Sequence, residues 1–275
     1  HRNWTAVGLP DFPDLPIVDE RGLVTPFIDG WSLDTWLVTK SGRTLLPSKM
    51  KVAEQILNVE DTLKVTTKVR QQKCSLKSQV SVQLKKHIPT CCLEISASSD
   101  ELAWIVVALR PYNTEGVNFI HSVSLNAERN EWQVDDDKSI EFCSTVDRQH
   151  ISRYHEGDVF YKLDKIKDEP KGTCNIGMLT AAAMFKLDET SGTRQISVRI
   201  PLVKRHVAKA DLQSKKWSHY LHNACSLQLP ISTFQFLYDA ALKSLLLHSS
   251  DDIYPGPYTY KRFWFRDAVY IINAL

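Results

Sequence analysis

The sequence predicts a mainly β protein, an antiparallel β-sandwich with helices appended behind it. Three observations predict this. Several segments alternate apolar and polar residues, as in Leu63, Val65, Thr67 and Val69, or Val80, Val82 and Leu84, which puts one face of a strand in a core and the other toward water. One run, Ala103 to Leu109, is apolar throughout, the pattern of a strand covered on both faces. Near residue 203 the apolar spacing changes from two to three and four, the period of a helix.

The elements follow in chain order. The first thirty residues are rich in Pro and Asp, including Leu9-Pro10-Asp11-Phe12-Pro13, and read as an extended, irregular lead-in. Trp36 to Thr39, the turn signal Ser41-Gly42-Arg43, and Thr44 to Pro47 read as a hairpin. Cys92 to Ile95 continues the strand pattern beyond Val80–Leu84. Further strands are expected at 119–125, 131–134, 139–142, 158–163, 178–187 and 195–202, separated by turn signals such as Asn113-Thr114-Glu115-Gly116 and Thr190-Ser191-Gly192. Many antiparallel strands at short spacing argue for a sandwich, and no short-period repeat suggests a propeller or solenoid. Val207 to Leu221 has helical periodicity. Pro230 is placed to open the next helix, where its missing N–H costs nothing. Phe234, Leu237, Tyr238, Ala241, Leu242, Leu245 and Leu246 then repeat at three and four, an amphipathic helix ending before Tyr254-Pro255-Gly256-Pro257. Asp267 is placed to cap a last apolar helix. The division expected is a sandwich over 1–203, a helical linker over 204–230 and the start of a helical domain over 231–275.

Composition narrows the function. With 275 residues and 43% hydrophobic content, the chain is long enough to bury a sizeable core. Its 34 basic and 32 acidic residues give no concentrated basic surface, so no nucleic-acid partner is expected. No run approaches the ~20 apolar residues of a membrane helix, so no membrane partner is expected either. The six cysteines, at 74, 91, 92, 143, 174 and 225, form no Cys-x-x-Cys pair. They read as reduced, buried thiols, which favours a cytoplasmic location. No cofactor motif is present. Gly172 and Gly177 make no phosphate loop, no Gly-x-Ser-x-Gly elbow occurs, and His219 and His222 lack a third ligand, so no metal is expected. Asp135-Asp136-Asp137 and Glu156-Gly157-Asp158 read as turns.

The chemistry gathers at the end of the chain. A sugar ring offers a weakly apolar face and a rim of hydroxyls. Aromatic side chains cover such a face, a guanidinium donates to hydroxyl oxygens, and a carboxylate accepts from hydroxyl hydrogens. Tyr260, Trp264, Arg266 and Asp267 supply these groups within eight positions. The plainer alternative makes Asp267 a helix cap, Arg266 a surface ion-pair partner and the aromatics core. A second segment, Arg110-Pro111-Tyr112, is either a surface loop after a core strand or a loop that approaches a substrate cleft.

Tyr258 to Ala268 resembles the Tyr-x-x-x-Trp-x-Arg-Asp segment of glucoamylases, glycoside hydrolase family fifteen. The resemblance implies a β-sandwich of the super-sandwich type, a helical linker, and the first helices of a truncated (α/α)6 barrel. It implies that Arg266 and Asp267 hold hydroxyls of a terminal glucose, with Trp264 and Tyr260 beside the ring and an oligosaccharide or polysaccharide as substrate. The family's acid and base are glutamates far downstream, so no catalytic residue is expected within these 275 residues. Inverting glycosidases use two such carboxyl groups about 6.5–9.5 Å apart. A related disaccharide phosphorylase and a non-catalytic carbohydrate-binding or interaction module remain the alternatives.

Overall fold

The computed structural model describes residues 4–60, 62–203, 216–250 and 252–274. In chain order the strands are β1 (Trp4–Ala6), β2 (Ile17–Asp19), β3 (Val24–Thr25), β4 (Ser32–Thr39), β5 (Thr44–Leu45), β6 (Glu54–Asn58), β7 (Lys64–Gln71), β8 (Cys74–Lys85), β9 (Ile88–Ser98), β10 (Ala103–Arg110), β11 (Ser122–Leu125), β12 (Glu131–Val134), β13 (Lys138–Phe142), β14 (Arg148–Ser152), β15 (Lys171–Thr173), β16 (Thr180–Lys186) and β17 (Thr193–Pro201). Helices α1 (Trp217–Tyr220), α2 (Ser232–Leu247) and α3 (Phe265–Ala274) follow.

The strands form two antiparallel sheets. One runs β1-β2-β3-β4-β10-β16-β14, with β5 also paired to β4. The other runs β15-β11-β12-β13-β17-β9-β8-β7-β6. Their inner faces share one apolar cluster, in which Leu37, Ile105, Leu109 and Phe185 meet Leu76, Leu93, Trp132 and Val198. The antiparallel sandwich expected from the alternation is therefore present. The hairpin at Ser41-Gly42-Arg43 pairs Leu37 with Leu45 and Val38 with Thr44.

The run in β10 is covered on both faces, as its composition predicts. Ile105, Val107 and Leu109 point into the main cluster. Val106 and Ala108 point outward into a second, smaller cluster with Trp36, Met184, Val159 and Leu163. The lid over that outer face is the segment 158–163. It was expected as a strand but forms a 3-10 turn, Val159–Lys162. Asp158 decides this locally: its carboxylate accepts the Phe160 N–H at 2.9 Å, which caps the turn.

Other departures concern short or polar strands. The lead-in contains β1, β2 and β3. β14 reads as polar, yet Gln149 and His150 are buried. Gln149 is satisfied on both sides, accepting from the Trp132 indole and donating to the Glu169 carbonyl at 2.6 Å. Four cysteines are buried, whereas Cys143 and Cys225 are exposed, and all six are free thiols. Most of the helix expected over 207–221 lies outside the described residues. Its described end, α1, stops at Tyr220 with Leu221 as C-cap, so His222 is beyond the helix that was to carry it with His219. Ile231 is the N-cap of α2, which leaves Pro230 just before the helix rather than in its first turn.

Helix α2 rests on the sandwich through Leu246, which the three-and-four spacing marked, and through Leu247 and Lys243, which it did not. Leu247 is buried beside Gly8, where a Cβ would meet its side chain at 3.3 Å. Buried Lys243 donates to the Val59 carbonyl and to the Glu60 carbonyl at 3.0 Å, and its ammonium lies 5.5 Å from the Trp217 ring centroid. The expected stripe has the opposite fate at its start, where Phe234 and Leu237 are exposed.

Candidate functional site

The chain from Tyr254 onward is fastened at one end and open at the other. The fastening is Tyr258. Its backbone sits at φ +57°, in the left-handed region that non-glycine residues rarely occupy. Its ring is buried, 6.5 Å from the Trp4 ring. Its hydroxyl donates to the carbonyls of Thr25 at 3.3 Å and Phe27 at 3.1 Å. Burial pushes the phenol pKa well above its ordinary value. Three residues on, Lys261 Nζ donates to the Pro13 carbonyl at 3.1 Å. Neither anchor is flagged by the sequence pattern, because a buried tyrosine and a docked lysine look like any others.

Beyond these anchors the expected site residues turn to solvent. Tyr260 is 59% exposed and Trp264 is 51% exposed. The two rings make no contact with each other among the described residues. The Ala268 N–H donates to the Trp264 carbonyl at 2.8 Å, so Trp264 sits at the entry to α3. Asp267 lies in the first turn of α3 and not at its cap. There the helix dipole favours its negative charge. Arg266 Nη2 lies 3.6 Å from Asp267 Oδ2, with the Arg266 side chain 80% exposed. Such an exposed pair adds little stability, but it leaves most of the guanidinium's five donors open. Ala268 and Ile271 are the buried side of the helix. Three of the four residues are therefore exposed, and Asp267 is half-buried. The plainer reading holds for Arg266, which is a surface ion-pair partner, and differs for Tyr260 and Trp264, which are exposed rather than core.

The Arg110 segment has the opposite character. The Arg110 guanidinium pairs with Asp158 Oδ2, donates to Asp158 Oδ1 at 3.0 Å, and reaches the Tyr112 hydroxyl from Nε at 3.2 Å. It lies 5.4 Å from the Trp36 ring and 5.3 Å from the Tyr112 ring. Burial opposes its charge, but the Asp158 carboxylate outweighs that and raises its pKa. Burial likewise works against the Asp158 anion, and the Arg110 hydrogen bond prevails and lowers its pKa. This pair welds the 3-10 lid to β10. Asp34, on the neighbouring strand, is buried and its pKa is raised by desolvation. The triple aspartate is the β12–β13 turn, in which Val134 pairs with Lys138. Glu156 is held to about 2 by its hydrogen bond to Lys162. Among the described residues no group of three metal-ligating side chains is assembled.

No family model matches the chain, and no curated protein matches it. Among solved structures it is similar to a bacterial glucoamylase complexed with acarbose. The TM-score is 0.62 at 11% identity, over 90% of this chain and 42% of that one. At that identity the likeness shows a glucoamylase-like fold and nothing finer. The chain spans less than half the length of that structure. No described helix is long and apolar enough to cross a membrane.

Proposed function

We propose that this chain is the N-terminal portion of a glucoamylase-like inverting glycoside hydrolase that acts on α-glucosidic bonds at non-reducing ends. Residues 1–203 are its sandwich domain, 204–230 its linker and 231–275 the start of an (α/α)6 barrel. Arg266 and Asp267 hold neighbouring hydroxyls of the terminal glucose, while Trp264 and Tyr260 flank its apolar face. The acid and base are two glutamates outside these residues, so the 275 residues alone bind sugar weakly and turn nothing over. Free thiols throughout suit a reducing, cytoplasmic setting.

The observation that carries this reading is the surface of α3. A guanidinium and a carboxylate stand side by side at a helix start, and the exposed rings of Tyr260 and Trp264 precede them closely in the chain. The exposed apolar side chains at Phe234, Leu237, Phe265 and Ile272 add support. Helices this apolar on their outer side are normally covered by further helices. The fold likeness to a glucoamylase agrees with both.

The test is hydrolysis of maltooligosaccharides by the complete protein, with product anomer followed by NMR. Release of β-glucose, inhibited by acarbose, is expected. Release of glucose 1-phosphate only when phosphate is supplied would replace hydrolysis by phosphorolysis. No reaction in either assay, with Arg266→Ala leaving sugar binding intact, would overturn the proposal.

A further inference from the structure

The outer face of the first sheet carries a cleft, far in sequence from α3. The 3-10 lid covers Trp36, Val106 and Met184 and then stops at Leu163. Past that point the face lies open along the row in which Trp104 pairs with Val38 on one side and Lys186 on the other. The resulting cleft encloses about 650 Å³, inside the ~300–1,000 Å³ range of small-molecule sites. Its floor is Val38 and Trp104, and its wall is Phe160 and Tyr161. Phe160 is fixed by edge contacts with Trp36 at 5.8 Å and Tyr161 at 5.7 Å. Tyr161 itself is 72% exposed, so beyond its edge contact with Phe160 most of its ring is open to a ligand.

The polar groups around this floor are open to a ligand. The Arg148 guanidinium lies 5.5 Å from the Trp104 ring centroid, a cation–π contact that orients it. Unlike Arg43, Arg110 and Arg129, it has no carboxylate or carbonyl partner among the described residues, so its donors are unspent. Across the cleft Asp164 is an exposed carboxylate with no partner among the described residues. Aromatic faces flanked by one open fork of donors and one open acceptor match the alternating C–H faces and hydroxyls of a sugar. Both charge signs line the rim, since Asp147 and Lys186 are there too. With Lys40 the lining carries three cations against two carboxylates, a near balance that gives a charged ligand little net attraction and leaves room for a neutral one.

We propose that this cleft is a non-catalytic binding site for a neutral oligosaccharide. Trp104 and Tyr161 stack the rings, and Arg148 and Asp164 bond the hydroxyls. The choice of an α-glucan as its natural ligand rests on the function proposed above; the site itself does not. It would hold a polymer chain on the sandwich.

The experiment is calorimetric titration of the chain with maltoheptaose and, separately, with cellohexaose. A dissociation constant of about 1 mM or below is expected for maltoheptaose, weakened about tenfold or more in Tyr161→Ala and in Arg148→Met. Both side chains reach solvent, so the variants should stay folded, which circular dichroism checks. The double variant Arg266→Ala/Asp267→Ala should keep this binding. Binding of cellohexaose instead, still lost in Tyr161→Ala, upholds the cleft and overturns the α-glucan reading. Absence of binding to either sugar at about 10 mM, or binding unchanged in Tyr161→Ala, overturns the cleft. Binding lost only in the Arg266/Asp267 variant overturns the cleft too, and leaves the proposed function standing.

Discussion

The hydroxyl of Tyr258 donates to the backbone carbonyl of Phe27 at 3.1 Å, across 231 positions of sequence. That bond, with its neighbour to Thr25, ties the segment carrying Trp264, Arg266 and Asp267 to the edge of the sandwich. Tyr258→Phe removes the donor and keeps the ring. It should cost about 1 kcal/mol. Tyr258→Ala also leaves a hole and should cost about 3–5 kcal/mol. Hydrogen exchange read along the chain should show the loss first at 254–274. Uniform loss over both sheets would mean that Tyr258 serves the core and not the attachment.

The Arg110–Asp158 pair predicts a larger effect. Asp158→Asn keeps the shape but leaves a buried guanidinium without its counter-charge. A cost of about 3 kcal/mol is expected, measured as a lower urea midpoint at unchanged slope. Trp36 fluorescence should report the loosened lid.

Acid should weaken the packing of α2. Burial favours the neutral form of His248 and lowers its pKa to about 4. In the unfolded chain it titrates near ~6.5. Stability is therefore full above ~6.5 and falls as the pH drops, because only the unfolded chain takes up the proton. The fall ends once the pH passes below the folded value. The loss across that window should be about 1–3 kcal/mol. His248→Gln should flatten the difference between urea titrations at pH 7 and pH 4. An unchanged slope would show that another group, such as buried His150, carries it.

Two glycines separate strain from crowding. Gly192 has φ +63°, and a Cβ there would lie 2.4 Å from the Ser99 carbonyl oxygen. Gly42 has φ +90° with nothing within 4 Å of that position. Gly192→Ala should cost about 1–3 kcal/mol, and Gly42→Ala only about 1 kcal/mol. Thermal unfolding of both variants makes the comparison. Equal shifts would mean that the Ser99 turn yields without penalty.

In the complete protein, Arg266→Ala and Asp267→Ala should each cost about 2–3 kcal/mol in kcat/KM, as charge-assisted hydrogen bonds do. Arg266→Ala should leave the melting temperature unmoved, because that side chain stands in solvent, and Asp267→Ala should lower it only slightly through the lost helix-dipole contact. Equal losses of stability and activity would make them scaffold.

The sandwich was legible where side chains alternate or run apolar, as in β7, β8 and β10. It was not legible where pairing satisfies polar residues. Arg148 to Ser152 has the composition of a loop, and its pairing with β16, with Trp132 and Glu169 satisfying Gln149, makes it a buried strand. Asp158 to Leu163 has the composition of a strand, and one carboxylate cap turns it into a lid. At the site, the motif found the exposed aromatics and the Arg–Asp pair. It did not find Tyr258 or Lys261, whose partners are carbonyls at the opposite end of the chain, and no local pattern encodes those.

Phe234 and Leu237 have a practical consequence. Water-facing rings and branched chains along one helix make a molecule adhesive toward its own kind. Preparations of this chain should scatter more light as they are concentrated, and mild detergent should clear them. A glutamate placed at 237 should do the same without denting the melting curve, giving crystallographers a better-behaved sample.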